Sequence, residues 1–256
     1  MISDRADVSP LAKIGNNVKI GSFAVIGAGV ELGDDCEVAP HVVIQGPSKI
    51  GRNNKFYQFC SIGADAQDKK FQGEDAHLEI GDNNLFREGC TVHRGTAHGG
   101  YLTKIGNNNL FMVNTHVAHD CIVGNNVIFS NSATIAGHVT IQDSVNLGGF
   151  VAVQQFCIIG AHCFCAGGSM ITKDVAPYTK VSGYPPQSYG LNTVGLERRG
   201  YNDEVLLALK HAYKTIFRKN LTVKQALAEI EELIQNFEDV AFFADFIANS
   251  VHGIVR

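Results

Sequence analysis

Residues 105 to 176 read IGNNNL FMVNTH VAHDCI VGNNVI FSNSAT IAGHVT IQDSVN LGGFVA VQQFCI IGAHCF CAGGSM ITKDVA. An apolar residue opens each group of six, as Ile105 and Phe111 do, and the fifth place is mostly small, as at Cys121 and Ala133. A helix repeats every 3.6 residues and a strand every 2, so a strict period of six indicates a repeat architecture. Short hexapeptide repeats predict a mainly β fold, a parallel β-helix in which each strand stacks on the strand one turn earlier.

The same period begins near the amino terminus, and we predict a β-helix over residues 1–176. Three hexads per triangular turn give 18 residues, which is also the distance from Ile62 to Ile80. Segment 64–79 is therefore predicted to fill one turn while its polar middle bulges outward. A break in register places a second excursion near 98–104. Loops that interrupt a solenoid often carry its binding face, although decorative insertions are the alternative.

The sequence changes character after the last hexad. Three prolines mark a predicted linker over 177–202. A C-terminal α-helical domain is predicted over 203–256, with helices over 203–218, 223–235 and 239–249 from the spacing of apolar residues. We expect this domain to cover an open end of the solenoid, which would otherwise present unpaired strand edges.

Composition gives no argument for a nucleic-acid partner, since the 256 residues carry a net charge of −4. The start MISDRADVSP is not typical of a signal peptide, and no apolar run is long enough for a transmembrane segment, so we expect a cytoplasmic location. All seven cysteines occupy places of the hexad that call for a small or apolar residue. They are predicted to be free and buried rather than ligands or disulfide partners.

Four histidines occupy polar places of the repeat: His93, His116, His119 and His138. Residues 18 apart should stack in neighbouring strands about 4.8 Å apart, which brings His119 near His138. Such a cluster fits a zinc-dependent hydratase that uses His93, His116 and His119, or an enzyme in which one histidine is a general base. A catalytically silent scaffold is a third alternative. Spacing alone leaves all three open.

The motifs then resemble a known family, the UDP-N-acetylglucosamine O-acyltransferases of lipid A biosynthesis. The resemblance covers essentially the whole chain and is carried by TVHRGT at 91–96, NTHVAHDCIVGNN at 114–126, ATIAGHV at 133–139, QQFCIIGAH at 154–162 and GLERRG at 195–200. It implies a left-handed parallel β-helix that forms a homotrimer, with active sites between subunits.

The resemblance also implies a reaction. A 3-hydroxyacyl chain held on the phosphopantetheine of acyl carrier protein would pass to the 3-hydroxyl of UDP-N-acetylglucosamine. We expect no cofactor of the enzyme itself, no metal and no covalent enzyme intermediate. The acyl chain length, and whether the acceptor carries a 3-hydroxyl or a 3-amine, are left open.

Roles carry over from the family residue by residue. His119 resembles the general base, Asp120 the group that orients it, and the N–H of Gly137 the oxyanion donor. Substrate-binding residues are implied at Gln67, Asp68, Lys70, His93, His116, His138, Gln155, Asn192, Arg198 and Arg199. Of these, the first three resemble contacts from the adjoining subunit, and the last three resemble the nucleotide end of the site. Gly167 corresponds to the acyl-chain ruler, and a glycine there predicts an open groove and a longer acyl chain.

Two positions depart from the family pattern, which commonly has a histidine where this chain has Gln154 and an acid where it has Val194. We expect both to tune binding and to leave the reaction intact. Lys210, Lys214 and Arg218 recur every four residues on the first C-terminal helix and therefore share a face. This basic stripe is either solvated surface or the docking site for an acidic carrier protein.

Overall fold

A computed structural model describes all 256 residues. Its strands are, in chain order, β1 Asp7–Val8, β2 Lys13–Ile14, β3 Lys19–Ile20, β4 Val25–Ile26, β5 Val30–Leu32, β6 Glu37–Val38, β7 Val43–Ile44, β8 Ser48–Ile50, β9 Lys55–Phe56, β10 Ser61–Ala64, β11 His77–Ile80, β12 Leu85–Phe86, β13 Thr91–His93, β14 Leu102–Ile105, β15 Leu110–Phe111, β16 His116–Val117, β17 Ile122–Val123, β18 Ile128–Phe129, β19 Thr134–Ile135, β20 Thr140–Ile141, β21 Asn146–Leu147, β22 Ala152–Val153, β23 Ile158–Ile159, β24 Phe164–Cys165, β25 Met170–Ile171, β26 Thr179–Ser182 and β27 Gln187–Leu191.

Every third strand belongs to the same sheet, so the chain winds around a triangular prism with three walls. Wall 1 has nine strands from β1 to β25, wall 2 has eight from β2 to β23, and wall 3 has ten that include β3 and β27. Strands one turn apart pair in parallel, and Val117 lies opposite Ile135, which lies opposite Val153, as the 18-residue repeat predicts. The result is the expected left-handed parallel β-helix.

The prism is filled by the apolar residue that opens each hexad. In wall 3 these residues include four phenylalanines, Phe56, Phe86, Phe111 and Phe129, whose successive ring centroids lie 5.0, 4.6 and 4.9 Å apart. They belong to one core cluster of 43 buried residues. All seven cysteines are free and buried, as predicted. Burial raises the pKa of Cys121 and Cys163 to about 12, which keeps these thiols protonated and unreactive.

Both excursions leave the prism at the same edge, where the chain passes from wall 1 to wall 2. We call this edge the excursion corner; it comprises the turns 65–76, 94–101, 118–121, 136–139 and 154–157 and the wall 1 strand residues that lead into them, among them His93 and His116. The prediction that segment 64–79 fills a whole turn is wrong, because Ile62 lies on wall 1 opposite Ile44 whereas Ile80 lies on wall 2 opposite Ile50. The interval of 18 arises from an ordinary step of six plus a twelve-residue insertion.

The next edge, between wall 2 and wall 3, is lined with asparagines. We call it the asparagine corner; it includes residues 51–54, 81–84, 106–109 and 124–127. Asn53, Asn83, Asn108 and Asn126 adopt positive φ angles between 55° and 59°. Asparagine tolerates this left-handed conformation better than most residues, so these side chains mark turns of the coil, as the sequence indicates.

The segment predicted as a linker, 177–202, contains regular structure. Strand β26 extends wall 3, β27 returns antiparallel to it, and a short helix α1 follows at Thr193–Glu197. The hexad period ends before this antiparallel pair, so it gives no signal for the two strands. The segment therefore extends wall 3 of the solenoid before the helical domain begins.

The C-terminal domain contains helices α2 Asp203–Arg218, α3 Val223–Glu229, α4 Glu231–Asn236 and α5 Glu238–Asn249. The predicted second helix is divided in two at Ile230, whose φ of −104° is not helical. These helices, together with residues of the preceding segment such as Tyr178 and Leu191, form a separate hydrophobic cluster of 16 residues. The chain then returns to the β-helix, where Val255 joins the solenoid core and its N–H donates to the Asp174 carbonyl oxygen at 2.8 Å. None of the helices has the length and apolar character that crossing a bilayer requires.

Candidate active site

His119 and Asp120 lie together at the excursion corner, between β16 and β17. Adjacent residues of a strand point to opposite faces, but Asp120 has a φ of 60° and turns its carboxylate back toward its neighbour. His119 Nδ1 lies 2.7 Å from Asp120 Oδ2. Because a carboxylate only accepts hydrogen bonds, Nδ1 of the neutral ring carries the proton and Nε2 keeps a free lone pair. This is the arrangement of an oriented general base.

The Asp120 carboxylate is held by the second excursion. Its Oδ1 accepts from the Thr96 N–H at 2.7 Å and its Oδ2 accepts from the Thr96 hydroxyl at 2.6 Å. Its own N–H donates to Thr103 Oγ1 at 2.7 Å. Gly99 packs so closely that a side chain there would come within 2.0 Å of Asp120 Cγ. Sequence reasoning missed Thr96 and Thr103, although it did predict a functional excursion at 98–104.

Gly137 lies against the His119 ring, one turn further along the prism. A Cβ at this position would be 2.5 Å from His119 Cε1 and 2.8 Å from Nε2. Its φ is not positive, so glycine serves here for close approach rather than for an unusual backbone angle. The Gly137 N–H donates to no acceptor of the chain. A free main-chain donor therefore lies beside the proposed base, as an oxyanion site requires.

His138 completes this part of the cluster. Its N–H donates to the His119 carbonyl oxygen at 3.0 Å, and the two rings cross at 89° with centroids 5.2 Å apart. The ring also stacks on Phe156, with centroids 4.6 Å apart. Burial lowers the pKa of His138, so the ring offers neutral hydrogen-bonding groups. Phe156, which no sequence argument singled out, thus supplies an apolar wall beside the exposed Gln155.

His93 and His116 form a second pair on adjacent turns, with ring centroids 4.9 Å apart. Thr91 Oγ1 and His116 Nδ1 are joined by a 2.7 Å hydrogen bond. Burial, with the charges of His116 and His119, lowers the pKa of His93 to about 4, and burial also lowers the pKa of His116. Nδ1 of His93 is buried without a partner. A buried nitrogen left unpaired is available to a ligand.

The first excursion places one of its predicted residues beside this cluster. Asp68 Oδ2 lies 3.0 Å from His98 Nε2 of the same chain, and its Oδ1 accepts from the Lys70 N–H at 2.9 Å. That backbone bond, and then the charges of His98 and His119, lower the pKa of Asp68. The side chains of Gln67 and Lys70 are exposed. A role toward an adjoining subunit stays a prediction for all three.

The predicted nucleotide residues lie elsewhere, on the outer face of wall 3. Asn192, Val194, Arg198 and Arg199 line a cavity of about 590 Å³. Arg199 Nη2 donates to the Ser144 carbonyl oxygen at 3.2 Å, and the Arg198 side chain is exposed. Within one chain the structure therefore brings the four histidines to one corner but leaves the guanidinium groups on a different wall.

Two further predicted features lie at the surface. Gly167 is exposed between β24 and β25, and a Cβ there would lie 3.1 Å from the Gly149 carbonyl oxygen. Lys210, Lys214 and Arg218 are all exposed on α2. Arg218 Nη2 also donates to the Ser188 carbonyl oxygen at 3.0 Å and to Tyr213 at 3.2 Å. A docking role for this basic stripe stays a prediction.

The ligand set of the hydratase alternative does not converge. His116 Nδ1 is engaged by Thr91 and His119 Nδ1 by Asp120. The one set of three metal-ligating side chains whose ligand atoms lie within 4.8 Å of one another is His98, Asp120 and His138. The geometry at the corner therefore favours an oriented base over the three-histidine metal centre of the hydratase alternative.

Two family models match the chain. One, described as UDP-N-acetylglucosamine O-acyltransferase domain 2, matches residues 174–255. The other, described as bacterial transferase hexapeptide (six repeats), matches residues 12–46 and 102–137. Together they cover both the helical domain and parts of the solenoid.

Solved structures of similar proteins match along the full length. The chain is 39% identical to the UDP-N-acetylglucosamine acyltransferase of Francisella novicida, covering 100% of this chain and 94% of that one with a TM-score of 0.97. It is 40% identical to the UDP-N-acetylglucosamine O-acyltransferase of Moraxella catarrhalis, with coverage of 100% and 99% and a TM-score of 0.97. It is also 40% identical to the UDP-N-acetylglucosamine acyltransferase of Bacteroides fragilis, with complete coverage of both chains and a TM-score of 0.98.

Proposed function

The chain belongs to the UDP-N-acetylglucosamine O-acyltransferase family, and from this premise we propose that it transfers a 3-hydroxyacyl chain from acyl carrier protein to the 3-hydroxyl of UDP-N-acetylglucosamine. This transfer is the first step of lipid A biosynthesis. The observation that carries the mechanism is the His119–Asp120 pair, 2.7 Å apart and packed against the Gly137 main chain.

The acceptor hydroxyl is activated by His119. Asp120 holds the proton on Nδ1, so Nε2 removes the hydroxyl proton as the oxygen attacks the thioester carbonyl. Asp120 also stabilises the imidazolium that forms, and Thr96 and Thr103 fix Asp120 in place. A positioned general base of this kind contributes about 10²- to 10⁴-fold in rate.

The carbonyl oxygen becomes negative as the new C–O bond forms. The N–H of Gly137 donates to this oxyanion, and a main-chain donor fixed before the reaction needs no reorganisation. The C–S bond then breaks, and the imidazolium returns its proton to the phosphopantetheine thiolate. The products are the ester and the free carrier thiol, with no covalent enzyme intermediate.

Recognition of the two substrates requires a second copy of the chain. The histidine cluster lies at the excursion corner, whereas Asn192, Arg198 and Arg199 line a cavity on wall 3. One substrate that contacts both groups must bridge two subunits, which supports the homotrimer. Guanidinium forks suit the diphosphate of the nucleotide, while neutral His93, His116 and His138 suit the sugar hydroxyls and the acyl group.

One assay tests the activity and the acceptor together. The purified protein is incubated with UDP-N-acetylglucosamine, or with its 3-amino analogue, and a panel of 3-hydroxyacyl carrier proteins, and the products are weighed. We expect an ester that mild alkali cleaves, formed by the wild type and not by His119→Ala. A protein that forms no acylated sugar nucleotide with any donor would refute the proposed function and leave the scaffold alternative.

The same panel tests the chain-length ruler. Because Gly167 leaves the surface open, we expect the wild type to prefer the longer donors of the panel. Gly167→Met should shift the preference toward shorter chains without removing activity, since the residue is remote from His119 in the prism. An unchanged preference would show that Gly167 serves only as a tight corner.

A further inference from the structure

Three metal-ligating side chains converge at the excursion corner, and the proposed function uses only two of them. These are His98, Asp120 and His138, whose ligand atoms all lie within 4.8 Å of one another. Asp120 Oδ2 and His138 Nε2 are 3.7 Å apart. The third group, His98, belongs to the short 3₁₀ turn Ala97–Gly99 of the second excursion. No step of the acyl transfer requires His98.

The three groups have the chemistry of a zinc site. Two imidazoles and one carboxylate are a common ligand set for Zn²⁺ with an open fourth position. With metal–ligand bonds of about 2.0 Å, ligand atoms at tetrahedral angles are about 3.3 Å apart. The separation of 3.7 Å between Asp120 and His138 is close to this value. These two ligands need only a small adjustment to bind one ion.

The remaining ligand can move into place. The His98 side chain is 39% exposed, so rotation about its side-chain bonds meets little packing. Asp68 Oδ2, 3.0 Å from His98 Nε2, lies close enough to accompany it as an outer partner or to take the fourth position. Asp120, by contrast, is fully buried and fixed by Thr96, so it anchors the site.

We propose that Zn²⁺ or a similar transition-metal ion binds reversibly to His98, Asp120 and His138 and inhibits acyl transfer. The ion takes a carboxylate oxygen that otherwise holds the proton of His119, and it occupies space beside the base. The binding claim stands on the ligand geometry alone. The inhibition claim rests on the proposed function, because it needs an acyl transfer to inhibit.

Binding is tested directly with Co²⁺ as a spectroscopic probe of the full-length protein. We expect one Co²⁺ per chain, with the visible absorption of a tetrahedral ion, displaced by Zn²⁺. His98→Gln should weaken the affinity by at least about 100-fold, because losing even an outer partner of a metal ligand costs 10- to 100-fold. His211→Gln, at an exposed position of α2, is the matched control and should bind like the wild type.

Inhibition is tested in the acyltransfer assay, with each variant compared with its own rate in a chelator. We expect Zn²⁺ to inhibit the wild type and His211→Gln reversibly, and His98→Gln to need about 100-fold more Zn²⁺. Co²⁺ binding that is absent, or unchanged in His98→Gln, would overturn the proposal while leaving the enzyme activity intact. Binding that depends on His98 without any effect on the rate would overturn the inhibition claim. A chain that binds Co²⁺ but transfers no acyl group in chelator would instead refute the proposed function.

Discussion

The excursion corner and the asparagine corner are two polar columns on one prism, and they differ in how far their hydrogen bonds are satisfied. Both stack polar side chains at the spacing of adjacent strands. Buried polar groups without partners are costly, so a protein leaves them only where something else compensates. A column whose buried polar groups are all paired is structural, whereas a column with unpaired groups has groups available to a substrate.

The asparagine corner is a closed ladder. Asn54 Nδ2 donates to the Gly81 carbonyl oxygen at 2.8 Å, and its Oδ1 accepts from Asn84. Asn84 in turn donates to the Gly106 carbonyl oxygen at 3.0 Å and accepts from the Asn109 N–H at 3.0 Å. These two buried amides tie one turn to the next, and the oxygen and the nitrogen of each are both engaged. These hydrogen bonds stabilise the coil and leave neither buried amide free to bind a ligand.

The excursion corner is an open column. His93 Nδ1 is buried without a partner, the Gly137 N–H has no acceptor, and the hydrogen bond from His119 Nδ1 to Asp120 leaves Nε2 free. Asp120, by contrast, is held on both carboxylate oxygens by Thr96 of the second excursion. The difference fits a structural role for the asparagine corner and the catalytic role that we propose for the excursion corner.

The largest effect should follow from removing the base. We expect His119→Ala to lower kcat by about 10³-fold, within the range for loss of a general base. The ring lies outside the hydrophobic core cluster of the prism, so we expect the variant to keep the β-helix fold. Rates measured with a sugar nucleotide and an acyl carrier donor, alongside circular dichroism, check both parts. A variant with full activity would contradict the mechanism.

A smaller loss of activity is expected from Gly137→Ala. The added methyl group would lie 2.5 Å from His119 Cε1, so the ring must move by a few tenths of an ångström or more. Misplacement of a catalytic group by about 1 Å can cost about 100-fold in rate. Ala136→Gly, at the exposed neighbouring position, is the control and should keep the wild-type rate. Rates of both variants with the same acyl donor check the prediction, and equal rates for the two would contradict it.

Removing a buried amide from the asparagine corner should lower the free energy of unfolding and leave the rate of acyl transfer unchanged. Asn84→Ala leaves the Gly106 carbonyl oxygen and the Asn109 N–H without partners, and unsatisfied buried groups cost about 1–3 kcal/mol each. We expect a loss of about 3 kcal/mol in the free energy of unfolding by urea denaturation. Asn16→Ala, at an exposed position near the amino terminus, should cost far less. Equal losses for the two variants would remove the distinction between the corners.

The smallest effect concerns the pH dependence of stability at the open column. The pKa of His93 is lowered to about 4 in the fold, so the unfolded chain takes up a proton below pH 6.5 and the folded chain does not. The free energy of unfolding therefore has its full value above pH 6.5 and falls as the pH drops toward 4. Between pH 7 and pH 5, His93 should account for about 2 kcal/mol of this loss.

The check is a series of urea denaturation curves between pH 7 and pH 5. His93→Gln should flatten the slope of unfolding free energy against pH, whatever its effect at pH 7. His41→Gln replaces an exposed histidine at the third edge of the prism and should keep the wild-type slope. A slope that is unchanged in His93→Gln would mean that this histidine is not held neutral by burial.

Much of the fold could be predicted because the hexad period is a local property of the chain. The period placed Val117, Ile135 and Val153 in one column, and the helix over 203–218 begins and ends where its apolar spacing predicts. Loop lengths carried less information. The interval from Ile62 to Ile80 matched a full turn in number but spanned a corner insertion in space.

The sequence by itself determined the repeat, the stacking of residues 18 apart and the meeting of His119 with His138. Only the tertiary structure decided which way the corner side chains point, because this depends on backbone angles such as the φ of 60° at Asp120. It also decided that the Thr96 hydroxyl donates a hydrogen bond to Asp120. It placed Arg198 and Arg199 on wall 3, away from the histidines. The reason is physical: periodicity is set by neighbours along the chain, whereas contacts between excursions and corners are set by turns that the chain reaches only after folding.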